Sequence, residues 1–159
     1  MEEKQLVHRD IKPANILLNK DGDIKICDFG VTGDLSKRSE YTVRTGDPLY
    51  RSPQRETCAI ESDMWAFGMT LLEVINGKHP FAEPDPNNIA WMIDKWKPEF
   101  STKISDDIND LVSSLLRKDR QNRPSSYADI LEKPCICGVS TMPTDDVRKF
   151  IRDIIKSIL

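Results

Sequence analysis

The sequence predicts a mainly α-helical domain with one small β-hairpin. Three observations support this fold class. Residues 62–77 are apolar nearly all round, which is typical of a helix buried in the middle of a domain. Residues 105–116 and 144–158 place apolar side chains on a 3.6-residue period behind a capping Ser or Thr. Two short apolar runs flank the Asn-Lys-Asp-Gly sequence at 19–22, a strong turn signal that indicates the hairpin.

The individual elements are bounded by capping and stop signals. Ser62 is the expected N-cap of the long helix and Gly77 supplies its stop. Trp91 and Trp96 are expected to be partly buried on a short helix, and Thr144 begins the last one. In chain order, we expect a hairpin over 16–27 and helices over 62–77, 89–96, 105–116, 126–131 and 145–158.

Composition limits the kinds of partner. The chain of 159 residues has 23 Lys and Arg against 26 Asp and Glu, a net charge of -3. Its basic residues are scattered, so we expect neither a nucleic-acid nor a membrane partner. No apolar run approaches the roughly 20 residues of a membrane span, and the acidic start lacks the order of a signal peptide. We expect a cytoplasmic protein, with the nucleus as a second compartment.

Residues 8–15, which we call the Asp10 loop, carry the residue types that phosphoryl transfer requires. Asp10, Lys12 and Asn15 place a proton acceptor, a cation and a metal-binding amide on one short segment. Phosphoryl transfer depends on fixed charges and positioning rather than on covalent chemistry by the protein. The hairpin then returns Asp28 of an Asp-Phe-Gly sequence to the side of Asn15, so the two oxygen ligands could share Mg²⁺. The alternative is that Asp28 caps a turn.

Residues 31–47 have the character of a mobile surface loop. The segment is polar and rich in hydroxyls, including Ser39, Tyr41 and Thr42. A phosphate added there would bring roughly -1.5 to -2 of charge, which Arg9 could hold in an ordered loop. For any single hydroxyl, an ordinary solvated loop is the alternative.

Several motifs in register resemble the C-terminal lobe of a eukaryotic protein kinase, over essentially the whole chain. The motifs are His8-Arg9-Asp10, Asn15, Asp28-Phe29-Gly30, Ser52-Pro53-Gln54, Ser62-Asp63-Met64-Trp65 and Asp119 with Arg123-Pro124. Residues 27–35 and the apolar helix after Thr144 look more narrowly like dual-specificity MAP kinase kinases of the stress-activated branch. The resemblance implies a kinase-like C-lobe, helical, with a small β-hairpin carrying the catalytic and Asp-Phe-Gly loops. Residues 1–134 would be a partial kinase domain, and 135–159 a tail with an amphipathic docking helix.

The resemblance also implies roles for individual residues. Asp10 would accept the proton of the substrate hydroxyl, Lys12 would steady the phosphoryl group of ATP, and Asn15 and Asp28 would hold Mg²⁺. Thr42 falls closest to the family's activating phosphorylation site, with Ser39 and Tyr41 beside it. Structural roles would fall to His8, Gln54, Asp63 and Arg123.

The resemblance implies partners as well. The substrate would be a downstream MAP kinase, phosphorylated on Ser, Thr or Tyr of its activation loop. An upstream MAP kinase kinase kinase would dock on residues 145–159. The alternative function is a non-catalytic, kinase-like binding module, or a truncated product, that competes for partners in the cascade.

Three departures from the family pattern qualify these expectations. The sequence starts just before the Asp10 loop, so we expect the N-lobe to be absent, only half of the ATP site to be present, and the isolated chain to be inactive. Gln54 stands where the family has a Glu paired with the arginine matching Arg123, and a neutral amide should weaken that clamp. Asp47 replaces a family Thr or Cys. It should repel Asp10 unless Lys12 neutralises it. Alternatively, if the loop shifts by one position, Thr45 would serve in place of the family residue.

Overall fold

The computed structural model describes residues 6–34, 46–54, 60–81 and 89–158, and the helices predominate, as predicted for a mainly α domain. The strands are β1 (Leu6–Val7), β2 (Ile16–Leu18), β3 (Ile24–Ile26) and β4 (Gly33–Asp34). The α-helices are α1 (Ile60–Asn76), α2 (Ile89–Lys95), α3 (Asp106–Leu115), α4 (Tyr127–Leu131) and α5 (Asp145–Ile158), and short 3-10 turns lie at Pro13–Asn15, Pro48–Tyr50 and Arg120–Asn122.

The predicted hairpin is present. Strands β2 and β3 pair antiparallel with Ile16 opposite Ile26. The side-chain oxygen of Asn19 accepts hydrogen bonds from the backbone N–H groups of Asp21 and Asp23, both at 2.9 Å. Gly22 then turns the chain at a φ of 88°, a left-handed conformation that costs glycine little. The chain therefore returns at once to the side of the Asp10 loop.

A second two-stranded sheet was not predicted from the sequence. Strand β1 pairs antiparallel with β4, with Leu6 opposite Asp34 and Val7 opposite Gly33. Two residues per strand are too few to show the alternation of apolar and polar residues by which strands are recognised. Because this sheet joins the start of the described chain to residue 34, it brackets both the Asp10 loop and the Asp-Phe-Gly segment.

Helix α1 is the structural axis, as its apolar sequence predicted. Its side chains Met64, Trp65, Met69 and Leu72 are fully buried. The prediction that Ser62 caps this helix is wrong, because the helix begins at Ile60 and Ser62 lies in its first turn. Ile60 packs against the same apolar cluster as Met64, which stabilises the additional residues at the start of the helix.

Helix α3 crosses α1 closely and with the predicted cap. Ser105 accepts a hydrogen bond from the backbone N–H of Ile108 at 3.4 Å. A Cβ at Gly68 of α1 would lie 2.9 Å from Leu115 and Leu116, so only glycine allows the two helices to approach this closely. The buried side of α3 consists of Leu111, Val112 and Leu115, whereas Ile108, expected in the same stripe, is 38% exposed.

The two tryptophans of the α2 region have different environments. Trp96 packs edge to face on Trp65 and Phe81, with ring centroids 6.4 and 5.3 Å apart. Trp91 is 65% exposed, contrary to the expectation of partial burial. The helix buries Ile89 and Ile93, and a residue midway between positions i and i+4 faces the opposite side of a helix.

Helix α5 docks on the turn of the hairpin. Arg152 forms an ion pair with Asp21 at 3.0 Å, and Arg148 donates to the Asp21 carbonyl at 3.3 Å. Ile151 is buried beneath these contacts. As predicted, Thr144 caps the helix by accepting a hydrogen bond from the N–H of Val147 at 3.3 Å. In the described ranges, no helix is long and apolar enough to cross a membrane.

Candidate active site

The backbone of the Asp10 loop is fixed by a buried carboxylate from α1. Asp63, which is 1% exposed, accepts hydrogen bonds from the backbone N–H groups of His8 at 2.6 Å and Arg9 at 2.8 Å. The Tyr127 hydroxyl donates to the same carboxylate at 2.9 Å. Arg9 has a φ of 71°, a left-handed conformation that disfavours residues with a Cβ. Asp63 therefore holds the chain in a conformation that the local sequence does not favour.

Burial affects the pKa of the Asp63 carboxyl and of its partner Tyr127. Burial raises the pKa of Asp63 above its ordinary value, although the N–H groups of Arg9 and His8 and the Tyr127 hydroxyl act in the opposite direction. Burial, together with the neighbouring Asp63 carboxylate, also raises the pKa of the Tyr127 hydroxyl. Tyr127 therefore remains a hydrogen-bond donor to Asp63 across the physiological range.

His8 joins the Asp10 loop to the Asp-Phe-Gly segment. Its Nδ1 accepts a hydrogen bond from the N–H of Asp10 at 3.3 Å, and its Nε2 lies 3.1 Å from the carbonyl oxygen of Cys27. These partners require the tautomer with the proton on Nε2. The ring also meets the edge of Phe29, with centroids 4.9 Å apart. The structural role predicted for His8 thus has a definite geometry.

The Asp10 carboxylate is surrounded by donors. The Asn15 amide nitrogen donates to both the carbonyl oxygen and Oδ2 of Asp10, each at 2.8 Å. The N–H of Asp47 donates to Oδ1 at 3.0 Å, and the Lys12 ammonium lies 3.2 Å from Oδ2. Burial alone would raise the pKa of Asp10, but these donors outweigh it and hold the pKa below its ordinary value. Asp10 is therefore ionised at neutral pH.

Lys12 lies between two carboxylates. Its Nζ is 3.2 Å from Asp10 Oδ2 and 3.5 Å from Asp47 Oδ2. Burial lowers the pKa of Lys12, but Asp10 and Asp47 outweigh this effect and raise it above the ordinary value. Lys12 is thus placed to offset the repulsion between the two acids, which was one of the two arrangements considered from the sequence. Thr45, the other, lies outside the described residues.

Asn15 and Asp28 are the candidate magnesium ligands. The N–H of Cys27 donates to the Asn15 carbonyl at 2.9 Å, which holds the two segments side by side. Both amide N–H bonds of Asn15 go to Asp10, so its amide oxygen is directed away from that carboxylate. Asp28 is exposed at a φ of 64° and accepts a long 3.4 Å hydrogen bond from the N–H of Gly30.

This donor set is compatible with magnesium. In the described part of the chain, no group of three or more His, Cys, Asp or Glu side chains is arranged to hold an ion. Mg²⁺ is commonly bound by one or two protein oxygens, with water and nucleotide phosphates completing its coordination. Asn15 and Asp28 supply such oxygens. They lie on the two segments that the hydrogen bond from the Cys27 N–H to the Asn15 carbonyl joins.

Gln54 and Arg123, to which the resemblance assigns structural roles, are in direct contact. Arg123 donates to Gln54 Oε1 at 2.8 Å and stacks on Trp65, 5.0 Å from the ring centroid. Gln54 in turn donates through Nε2 to the Lys118 carbonyl, a bond that a glutamate could not make. Burial lowers the pKa of Arg123 to about 10. The guanidinium also donates to the backbone carbonyls of Glu61, Arg117 and Lys118.

The regulatory residues expected from the sequence are only partly described. The Arg9 guanidinium lies against Gly33, where a Cβ would overlap it. Ser39, Tyr41 and Thr42 lie outside the described residues. Their phosphorylation therefore stays a prediction.

Two residues at the site were not singled out from the sequence. Gly46 has a φ of 83° and packs on the carbonyl of Arg9, where a side chain would overlap that oxygen. A Gly-Asp pair in a polar loop is a turn signal, so Gly46 was within reach of sequence reasoning. Tyr127 reaches Asp63 across 64 positions, and no local pattern indicates a contact at that separation.

Comparison with known proteins agrees with this geometry. Residues 1–136 match the family model described as the protein kinase domain. Among the relatives, the dual specificity mitogen-activated protein kinase kinase mek-1 of Caenorhabditis elegans is 35% identical over 94% of this chain and 45% of its own length. Sek-1 of the same organism, also a dual specificity mitogen-activated protein kinase kinase, is 33% identical over 99% of this chain and 49% of its own length.

A fungal relative gives the same result. The MAP kinase kinase MKK1/SSP32 of Saccharomyces cerevisiae is 36% identical over 96% of this chain and 32% of its own length. The chain thus spans less than half the length of the three relatives it is compared with. With a domain match over most of its residues and this resemblance to MAP kinase kinases, the chain belongs to the protein kinase domain family.

Proposed function

We propose that this chain forms the C-terminal lobe of a protein kinase that phosphorylates the activation loop of a MAP kinase. The observation that carries the proposal is the Asp10 carboxylate, held ionised among Asn15, Lys12 and the N–H of Asp47. An ionised, oriented carboxylate beside a lysine and an amide is what phosphoryl transfer to a hydroxyl requires. The relatives named as dual specificity kinases favour Ser, Thr and Tyr as acceptors.

Asp10 orients the acceptor hydroxyl and takes its proton in this mechanism. Each Asp10 oxygen already accepts a hydrogen bond from the protein, so the carboxylate cannot rotate freely. A carboxylate oxygen can accept more than one hydrogen bond, which leaves room for the hydroxyl. A general base must lie within hydrogen-bond reach of the proton it removes, and a fixed carboxylate meets this condition without reorganising.

Three further residues would bind the nucleotide and its metal ion: Lys12, Asn15 and Asp28. Lys12 steadies the phosphoryl group as it moves between oxygens, which is electrostatic stabilisation by a fixed charge. The Asn15 amide oxygen and the Asp28 carboxylate would hold Mg²⁺, which neutralises charge on the phosphates of ATP. Asp10 orients the Asn15 amide through two hydrogen bonds, so the base and the metal-binding amide keep one relative position.

Exposed apolar side chains on α5 support a docking site for a partner of the proposed kinase. Val147, Phe150 and Ile154 are 45%, 65% and 41% exposed, whereas Ile151 of the same helix is buried. We define the three exposed side chains as the α5 face. An amphipathic helix with an exposed apolar face is a common docking element, and an upstream MAP kinase kinase kinase is the proposed partner. A cytoplasmic location belongs to the same proposal.

An activity assay tests the proposed function. The chain is joined to the N-terminal lobe of a MAP kinase kinase relative and incubated with Mg-ATP and a catalytically inactive MAP kinase. We expect phosphate on the activation loop, and a loss of roughly 100-fold or more in the Asp10→Asn variant, since general-base catalysis contributes about 100- to 10,000-fold. Equal transfer by the two proteins would refute the role of Asp10.

A further inference from the structure

Asp47 is the departure from the family pattern that lies closest to the proposed chemistry. It follows Gly46, whose backbone packs on the carbonyl of Arg9 and whose own carbonyl accepts a hydrogen bond from Arg51. These contacts fix the position of Asp47 relative to the Asp10 loop. Its N–H donates to Asp10 Oδ1 at 3.0 Å.

The two carboxylate oxygens of Asp47 have separate partners. Oδ1 accepts a hydrogen bond from the N–H of Leu49 at 3.1 Å and so caps the 3-10 turn Pro48–Tyr50. Oδ2 faces the Lys12 ammonium at 3.5 Å. Because the cap fixes the side-chain orientation through Oδ1, the second oxygen is directed at Lys12 rather than at solvent.

The three charges do not cancel. One ammonium and two carboxylates give the Asp10, Lys12 and Asp47 group a formal charge of -1, whereas Asp10 and Lys12 alone would be neutral. The side chains are 11% to 31% exposed. At such partly shielded positions, solvent and salt screen charges less than at an open surface. The anionic phosphoryl group must therefore attract Lys12 in competition with a carboxylate that is already paired with it.

We propose that Asp47 is a positioning residue that holds Lys12 in an ion pair at rest and competes with the transferring phosphoryl group for it, which slows transfer. The competition rests on the proposed function, while the ion pair itself does not. A neutral residue at position 47 would leave Lys12 paired with Asp10 alone. The proposal therefore makes Asp47 a built-in restraint on the rate of the kinase.

A matched pair of variants isolates the effect of the ion pair between Asp47 and Lys12. Asp47→Asn keeps the backbone N–H that donates to Asp10 and, through its amide oxygen, keeps the cap on Leu49. It replaces only the oxygen that faces Lys12. The control is Asp94→Asn on α2, which removes the carboxylate 3.4 Å from Lys95 in a pair that is 68% exposed on both sides.

The first measurement is the rate at which acetic anhydride acylates Lys12 in the 159-residue chain, read by mass spectrometry as a function of pH. Asp10 and Asp47 are the charged groups within ion-pair distance of Lys12 in the part of the chain that the structure describes. Only the unprotonated amine reacts, so losing one carboxylate should lower the pKa of Lys12 and speed its acylation. We expect an increase of about threefold or more, which corresponds to roughly half a pKa unit.

The control variant defines the outcomes of that measurement. Asp94→Asn should leave Lys12 acylation unchanged. An unchanged rate in Asp47→Asn would overturn the proposal, and so would an equal increase in both variants, since that result would reflect general loosening of the fold.

The second measurement tests the competition and uses the chain joined to an N-terminal lobe. Asp47→Asn should raise the rate of phosphoryl transfer or lower the KM for ATP. Faster acylation together with an unchanged or slower transfer rate and an unchanged KM for ATP would overturn the competition. If neither the unsubstituted protein nor the variant transfers phosphate, the proposed function is contradicted, and the acylation result still decides whether Asp47 holds Lys12.

Discussion

At the scale of the residue, Asp63 connects the core to the Asp10 loop. It lies on the buried helix α1 and accepts hydrogen bonds from His8, Arg9 and Tyr127. A buried donor left without a partner costs about 1 to 3 kcal/mol. The stability of the chain and the shape of the site thus depend on the same carboxylate.

The Asp63→Ala variant should therefore be strongly destabilised. Removing the carboxylate leaves three donors without their acceptor, and we expect a loss of roughly 3 kcal/mol or more in the free energy of unfolding. Chemical denaturation followed by circular dichroism measures this loss. Tyr127→Phe is the matched control, because it removes one of the three hydrogen bonds and should cost about 1 kcal/mol. Similar losses in the two variants would argue against Asp63 as the anchor.

His79 provides a prediction about pH. It is buried, and its Nδ1 accepts a hydrogen bond from the N–H of Phe81 at 3.1 Å. Burial lowers its pKa, against the opposing influence of Glu73 and other neighbours. As pH falls through about 6.5, the unfolded state binds the proton first. The contribution of His79 to stability is therefore complete above that pH and is lost as pH falls toward the lower pKa of the folded state.

The His79→Asn variant tests this sign. Asparagine can still accept the hydrogen bond of Phe81 but does not titrate. Thermal unfolding of both proteins between about pH 5 and 7.5, which spans the ordinary histidine pKa, should give a shallower fall in Tm for the variant. The carboxylates titrate in both proteins, so the difference isolates His79. Parallel curves would refute the prediction.

At the scale of the element, α5 packs on the turn of the hairpin. A Cβ at Gly22 would lie 2.8 Å from Pro143 and 3.4 Å from Ile151. The turn also carries Asp21, the partner of Arg148 and Arg152. The same few residues thus reverse the chain and hold the last helix.

Gly22→Ala should loosen α5 more than the backbone strain alone explains. Gly77 also has a positive φ, but a Cβ there would meet nothing within 4 Å, so Gly77→Ala reports the strain alone, roughly 1 to 2 kcal/mol. We expect faster hydrogen exchange in α5 for Gly22→Ala and little change in α5 for Gly77→Ala. Equal exchange of α5 in the two variants would show that the contact with Pro143 contributes nothing.

Elements with a strong local signal were predictable, and contacts across the chain were not. The hairpin over 16–27, the Ser105 cap and the last helix follow from turn, cap and periodicity signals within a few residues. The start of α1 was wrong because Ile60 is stabilised by packing in the core. The sheet of β1 and β4 joins residues about 27 positions apart, and each strand is too short to show its own pattern.

At the scale of the whole molecule, α5 has one side on the hairpin and one side open. Ile151 is buried, while Phe150 beside it is 65% exposed. The helix therefore contributes to the fold and to the surface through adjacent residues. This division allows its two roles to be separated by single substitutions.

Phe150→Ala should weaken binding of an upstream MAP kinase kinase kinase while leaving the stability of the chain within about 0.5 kcal/mol, as for most surface substitutions. Leu131→Ala, which truncates a side chain that is 64% exposed on α4, should affect neither property. Titration with the purified catalytic domain of such a kinase gives the Kd, and we expect an increase of at least about fivefold, or roughly 1 kcal/mol, for Phe150→Ala. The same Kd for both variants would remove the α5 face as a docking site.

The attachment of the Asp10 loop to Asp63 also bears on how substrates bind. Because Asp63 of α1 already fixes the backbone of His8 and Arg9, the proposed base Asp10 is preorganised, and little conformational entropy should be lost there when the proposed nucleotide and acceptor bind. The hydrogen bonds from the Asp10 loop to Asp63 also couple the position of the loop to the packing of α1. A substitution that shifts α1 in the core should misplace Asp10 and slow the proposed reaction even where the protein still folds, so the proposed activity should tolerate fewer core substitutions than stability does.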